Sequence, residues 1–286
     1  MPKIVKYHNK MNSLNFEKFT SNDFDFFFGI CHEMQGKGTQ EVILSFSYIA
    51  QLVNYKETDK KRFIRDIERM YDKVESIQYR YEDDERIRKF RLFEELEIVK
   101  EEELVKIQVK KDFVPLLNNL TEQFTLFELQ QFITLSGKHS KTLFRICKQW
   151  RTTGKTQLYL VEDLKKLFDC ENYQSRDFTK LLNKAIEELK EKHIFENLSC
   201  NQEKAKKKGS PVVGYTFTFE PEQIIHKAIE QQTEPKKATK KEPSQKPTTH
   251  MTKSAEAYNN YPQRQYSKDE LLELETKLLA LAAQGE

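Results

Sequence analysis

The sequence predicts an α+β fold, mainly helical with small β-hairpins, in which two helices followed by a hairpin occur twice in tandem. Three observations predict it. A helix pair in the first half matches a pair in the second half at one ungapped offset of 115 residues, as from Lys61 to Arg176. The second helix of each pair is amphipathic, with a basic stripe opposite its apolar stripe. Each pair is followed by two extended runs with a polar turn between them.

In the first unit a β-like run over 41–46 leads into helices over 45–53 and 59–74, and strands are expected at 76–82 and 87–96, separated by the acidic turn Asp83-Asp84-Glu85. In the second unit a short run over 157–160 precedes the second helix pair. Strands are expected at 193–200 and 212–219 around a turn carrying Lys204, Lys206, Lys207 and Lys208. The apolar skeleton repeats: Leu52 falls on Leu167, Val53 on Phe168, Phe63 on Phe178, Ile67 on Leu182 and Val74 on Leu189. Apolar spacing alone is generic to helices. The basic stripe shares the register, with Lys61 on Arg176, Arg65 on Lys180 and Arg69 on Lys184, and that coincidence is harder to obtain by chance. Helix, turn, helix and hairpin is the order of a winged helix. The expected organisation is therefore a winged-helix domain at 1–122, a second at 123–222, a basic linker at 223–266 and a short amphipathic helix at 267–286.

Composition agrees with small domains. The chain has 286 residues, one third of them charged and 37% hydrophobic, with 48 basic and 45 acidic residues for a net charge of +3. The signs are segregated. Over 138–160 the charged residues are Lys138, Lys141, Arg145, Lys148, Arg151 and Lys155, with no acid, whereas 94–103 holds six glutamates and one lysine. A basic strip in a near-neutral chain is the footprint of a nucleic-acid partner, although a solvated helix face is the commoner origin of any one such strip.

An α-helix fits the major groove of B-DNA, where Arg or Lys reads guanine and Asn reads adenine. Arg176, Lys180, Asn183 and Lys184 are suited to that, and the matching Lys61, Arg65 and Arg69 extend it to the first unit. Lys206, Lys207 and Lys208, in a turn bounded by Gly209 and Pro211, suit phosphates, which need charge without strict geometry. Arg145, Lys148 and Arg151 join the candidates from the basic strip.

Enzyme chemistry finds no foothold. Gly154-Lys155-Thr156 has Gln149 where a phosphate-binding loop needs glycine. The six histidines, His8, His32, His139, His193, His226 and His250, form no closely spaced pair that could hold a metal beside a nicking tyrosine. Cys31, Cys147, Cys170 and Cys200 have neither zinc nor disulfide spacing. No catalytic residue, metal or cofactor is expected. With no apolar run of membrane-spanning length and a polar start at Met1-Pro2-Lys3, a cytoplasmic protein without a membrane partner is expected.

The segment from Ser140 to Gly154, Ser-Lys-Thr-Leu-Phe-Arg-Ile-Cys-Lys-Gln-Trp-Arg-Thr-Thr-Gly, resembles the basic helix and glycine turn of the initiator replication proteins of theta-replicating, iteron-containing plasmids. Residues 158–168, 177–189 with its closing Ala-Ile-Glu-Glu-Leu, and Val-Gly-Tyr-Thr-Phe-Thr-Phe at 213–219 are similar to the elements that follow in that family. The resemblance spans roughly 1–220 and is sharper in the second unit. It implies two winged helices that embrace one directly repeated DNA element in successive major grooves. It also implies a homodimer in exchange with a monomer, opening of adjacent AT-rich DNA, and recruitment of host replication proteins such as the helicase or its loader. The acidic first turn departs from a basic wing. A winged-helix transcription repressor is the alternative, since it would share every DNA-reading part.

Beyond 219 the composition changes. Residues 230–265 are rich in Gln, Lys, Thr and Pro and poor in large aliphatics, which predicts a linker without a core. Ser267-Lys268-Asp269-Glu270 can then cap a helix carrying Leu271, Leu274, Leu278 and Leu281, suited to a partner groove, self-association or docking on its own domains.

Overall fold

The computed structural model describes residues 2–77, 79–82, 87–206 and 210–222. The first half runs β1 (Ile4–His8), a 3-10 turn (Asn9–Ser13), α1 (Ser21–Met34), β2 (Val42–Ser45), α2 (Phe46–Leu52), α3 (Lys60–Ser76), β3 (Tyr79–Glu82), β4 (Ile87–Phe90), β5 (Phe93–Val99), β6 (Leu104–Val109) and α4 (Val114–Leu117). There follow β7 (Phe124–Glu128), α5 (Leu129–Ile133), α6 (Lys138–Gln149), β8 (Tyr159–Leu160), α7 (Val161–Leu167), α8 (Ser175–Glu191), β9 (Ser199–Lys204) and β10 (Val212–Thr218). The expected linker and C-terminal helix with its four leucines, the turn at 83–86, and Lys207 and Lys208 lie outside the described residues.

The repeat holds to the residue in its helical part. Adding the same 115-residue offset to the bounds of α2 and α3 gives those of α7 and α8, and α3 and α8 are both 17 residues long. The turns inside the pairs match too, since Asn54 (φ 51) and Asp169 (φ 55) each take the left-handed conformation that ends the preceding helix. Phe63, Ile67, Met70 and Val74 of α3 are buried, as are Phe178, Leu182, Ala185, Ile186 and Leu189 of α8. These stripes bind the helices to the core. Asp59 caps α3, its carboxylate accepting from the Lys61 amide at 3.0 Å, a contact worth about 1 kcal/mol.

The sheets correct the expected first wing. One sheet has the order β2-β6-β5 and the other β8-β10-β9, so in each the short strand before the helix pair flanks the last strand of the unit. The counterpart of the β9–β10 wing is therefore β5–β6, whose turn is Lys100-Glu101-Glu102-Glu103. The expected strand at 87–96 is divided into β4 and β5, and β3 with β4 forms a separate two-stranded hairpin. That hairpin is inserted after α3 with no equivalent after α8. Alternation along a strand states which residues share a face but not which neighbour the strand pairs with. In the second unit the strand expected at 193–200 begins only at Ser199, because His193 (φ 51) and Asn197 (φ 54) turn the chain first.

The boundary expected at 122/123 does not separate two cores. β7, just beyond it, pairs antiparallel with β1 from Ile4↔Glu128 to His8↔Phe124. α6 packs on α1 and the 3-10 turn as well as on α8. Buried residues from Val5 to Phe219 form one continuous cluster, and the described residues fall in one compact unit. α1 is the hub on the N-terminal side: Phe24, Phe26, Phe27, Phe28, Ile30 and Cys31 are buried around its whole circumference. A helix apolar all round has no single stripe, which is why the sequence pattern did not single it out. Gly154 (φ +68) closes the turn after α6, where a β-carbon would stand 2.5 Å from the Phe219 carbonyl oxygen. The Gly-Lys-Thr segment thus has a packing role.

Candidate nucleic-acid interface

The outer faces of α3 and α8 are built alike. Lys61, Arg65 and Arg69 on α3 are exposed, and so are Arg176, Lys180, Asn183 and Lys184 on α8. Their availability differs. Arg69 is committed inward, 2.9 Å from Asp66 and 3.6 Å from the buried carboxylate of Asp23, while Lys180 lies 3.8 Å from Asp177 in a loose exposed pair. Arg65, Arg176 and Lys184 form no ion pair among the described residues. Arg62 was missed in the sequence because it lies outside the repeated stripe. It lines a shallow recess with Arg65, Arg69, Thr20, Ser21 and Asn22 at the start of α1, although Glu57 partly neutralises it at 3.0 Å.

The wings differ in charge. Lys204 and Lys206 are exposed on the second hairpin. On the first, Glu103 takes an ion pair from Lys60 at 2.9 Å, tying the acidic turn to the start of α3. Exposed cations on both helices and one wing can meet base edges and phosphates; an acidic turn is repelled by the same backbone.

The basic strip is a correction. Arg145, Lys148 and Arg151 are buried, at 1%, 4% and 5% exposure, and cannot reach DNA from inside the protein. Each is spent on packing. The Arg145 guanidinium lies 4.4 Å from the Phe16 ring centre and within 5.6 Å of those of Phe24 and Phe28. Its Nη2 donates to the Asn12 carbonyl at 3.5 Å, and Nε and Nη1 have no hydrogen-bond partner among the described residues. The ring faces supply the compensation, worth about 2 kcal/mol when water is excluded. Lys148 pairs with Glu222, and Arg151 donates to the Phe124 carbonyl at 3.4 Å. Lys141, fully buried, pairs with Asp25 of α1. Burial pushes the Asp25 carboxyl up to about 7 against the pull of that ammonium, and burial lowers Lys141 and Arg145. Lys138 pairs with Asp169 at 3.0 Å, leaving Lys155 as the exposed cation of the strip. The strip is a clamp that draws α1, the 3-10 turn, β7, the α7–α8 turn and the segment after β10 around α6.

No group of three or more His, Cys, Asp or Glu side chains is placed to hold a metal among the described residues. Burial raises the thiols of Cys31, Cys147, Cys170 and Cys200 above their ordinary range, so none is a ready nucleophile. No helix of the described residues is long and apolar enough to cross a membrane.

Comparison with known proteins agrees with this architecture. A family model described as Initiator Replication protein, WH1 matches residues 4–148, and one described as Initiator Rep protein, WH2 matches 160–219. The first includes α6, the helix shared between the two units. A relative from Bifidobacterium longum (strain NCC 2705), described as a probable replication protein rep, is 32% identical over 152 residues, 53% of this chain and 51% of the relative. The match thus spans about half the length of that relative. Among solved structures, the Pi initiator protein in complex with iteron DNA is similar with a TM-score of 0.60 at 14% identity, covering 78% of this chain and 98% of that one. That likeness is one of fold. With both winged helices matched in order over most of its described length, the chain belongs to the initiator replication protein family.

Proposed function

We propose that this chain initiates plasmid replication by binding directly repeated duplex DNA through α3 and α8 in successive major grooves. The observation that carries the reading is the pair of 17-residue helices with exposed cations at matching positions, Lys61 with Arg176, Arg65 with Lys180 and Arg69 with Lys184. One such face is what any solvated helix presents; two in a fixed tandem register suit a repeated target. Arg176, Lys180 and Asn183 are assigned to base edges, Lys184 and Lys61 to either base edges or backbone, and Arg65 to a base edge in the neighbouring groove. Arg69 has the lesser part because two carboxylates hold it. Lys206, with Lys207 and Lys208, is assigned to phosphates. Opening of adjacent AT-rich DNA, recruitment of a host helicase or its loader, and exchange between homodimer and monomer belong to the same proposal. The chain is assigned no catalysis of its own.

The test is competition binding against a point-mutated target. Arg176→Ala or Lys180→Ala costs about 1–3 kcal/mol and relaxes preference at one or two base pairs. Arg65→Ala relaxes a position about one helical turn away. Arg65 and Arg176 altering the same base pair, or neither altering preference, would refute the two-groove reading. A repressor would share these effects, but would have an inverted repeat alone beside its gene instead of direct repeats flanking AT-rich DNA.

A further inference from the structure

The α8 helix is tied to α6 by one carboxylate. Glu188, about 18 Å along the axis from Arg176 at 1.5 Å per residue, reaches the start of α6. Its Oε1 accepts from the Ser136 amide at 2.5 Å and the Ser136 hydroxyl at 2.8 Å. Its Oε2 accepts from the Gly137 amide at 3.2 Å and the Ser140 hydroxyl. Gly137 is the N-cap of α6 and has no side chain with which to cap it, so Glu188 supplies the missing cap from another helix. Burial pushes this carboxyl up, but the four donors outweigh it and hold it below its ordinary range. Gly137 leaves room for the contact: a β-carbon there would stand 2.9 Å from Oε2, while its backbone (φ −86, ψ 130) is one that any residue adopts.

The repeat explains what the contact does. The position matching Glu188 in the first unit is Lys73, which donates to Asp23 at the start of α1 at 2.6 Å. Both units thus fasten the end of the long helix to the start of the first, by an ion pair in the first unit and by a carboxylate on neutral amides and hydroxyls in the second. In the first unit the bond stays within one winged helix. In the second, α6 is already held to the first unit by the Lys141–Asp25 pair and by Arg145 in its ring cage. Glu188 thus adds a polar tie, at the far end of α8, to the apolar packing that sets its orientation relative to α3.

We infer that Glu188 is a positioning residue that helps set the spacing between the two helices' DNA targets, a conclusion that rests on the tandem reading above. Two rigidly coupled modules bind tightly at one spacing and lose most of that gain at others, whereas loosely coupled ones bind more weakly and tolerate change. The probe is the duplex that the wild-type chain selects from a random library, together with versions carrying one or two base pairs inserted or removed at its centre. Each base pair rotates one half against the other by about 35°.

For the wild type, one inserted base pair is expected to cost about 100-fold in affinity, because the second helix can no longer engage. Glu188→Ala and Gly137→Ala should each bind the unaltered duplex about tenfold more weakly yet lose less than about tenfold on insertion. On a duplex holding only the α8 half they should match the wild type within about threefold, which a globally damaged chain would not. Wild-type spacing discrimination in Glu188→Ala, whatever its overall affinity, overturns the inference. Should Glu188→Ala not fold, Gly137→Ala decides by the same criterion. A wild type indifferent to spacing would bring down the tandem reading itself, and this inference with it.

Discussion

Replacing Lys141 by Met tests whether the basic strip is structural. The side chain of Lys141 is 0% and that of Asp25 11% exposed, so removing the ammonium leaves a carboxylate in the core without its partner. A buried carboxylate that loses its cation costs about 3–5 kcal/mol. Burial already pushes the Asp25 carboxyl above its ordinary 3.8 with Lys141 in place, and loss of the ammonium pushes it further in the same direction. The sign follows from the raised value in the folded state. Between pH 4 and 7 the folded chain holds a proton that the unfolded chain has released, so stability rises as pH falls, by up to about 1.4 kcal/mol per unit, and in the variant that slope extends above pH 7. Urea denaturation of the wild type and the variant at pH 6, 7 and 8 measures both effects. The Asp25→Leu/Lys141→Met double variant should recover most of the loss, because a well-packed apolar pair often equals a buried ion pair. DNA affinity of the folded fraction and its salt dependence should stay unchanged. A loss under about 1 kcal/mol at pH 7, or a reduced salt slope with unchanged stability, would return Lys141 to the surface and refute the clamp.

Changing Lys206, Lys207 and Lys208 together to Ala should weaken all sequences alike and flatten log affinity against log salt by about 0.9 for each phosphate no longer neutralised; titrations at two salt concentrations read the slope. Burial, aided by Lys138 and opposed by Asp169, lowers His139 from 6.5 to about 4. Between those values the unfolded chain takes up the proton first, so stability falls as pH drops through this window, and His139→Gln should remove that part of the slope in thermal melts. Deleting 231–286 should leave site-specific binding intact, because both helix pairs and the second hairpin end before Phe219; its loss in a folded 1–230 fragment would contradict the assignment.

The helical half of each unit was legible because its signals are local. Asp59 before Lys60, the apolar stripe from Phe63 to Val74, and the same stripe from Phe178 to Leu189 each state their structure within a few turns of chain. The basic strip misled for the opposite reason. Lys141 is neutralised by a residue 116 positions away and Lys148 by one 74 positions away, and no window of sequence contains both partners. Arg145 looks like a surface cation until Phe16, Phe24 and Phe28 are folded over it. Glu188 reads as one more acid on a charged helix, and only Gly137, a small residue before a helix without a cap of its own, hinted that something else must fill that place. The first wing was misplaced because the β3–β4 hairpin breaks the offset after α3, and β-alternation continues across the insertion without marking it. The exposed faces of α3 and α8 were readable in composition and register, whereas the engagement of Arg69 by Asp23 and Asp66 required the fold.

The pairing of β1 with β7 sets a schedule for the chain as it is made. Val5 and Tyr7, fully buried in the finished protein, sit against a strand about 120 residues further along. A ribosome adding about 5–20 residues per second needs roughly 6 to 24 s to cover that distance. Throughout that time β1 has an unpaired edge, and the aromatic side of α1 around Phe28 lacks Phe127 and Phe132. Non-local closure of this kind slows folding and leaves apolar surface open to other chains in the meantime. The first winged helix is thus synthesised early but completed late, and in the nascent chain it has greatest need of chaperone cover before residue 149 has emerged.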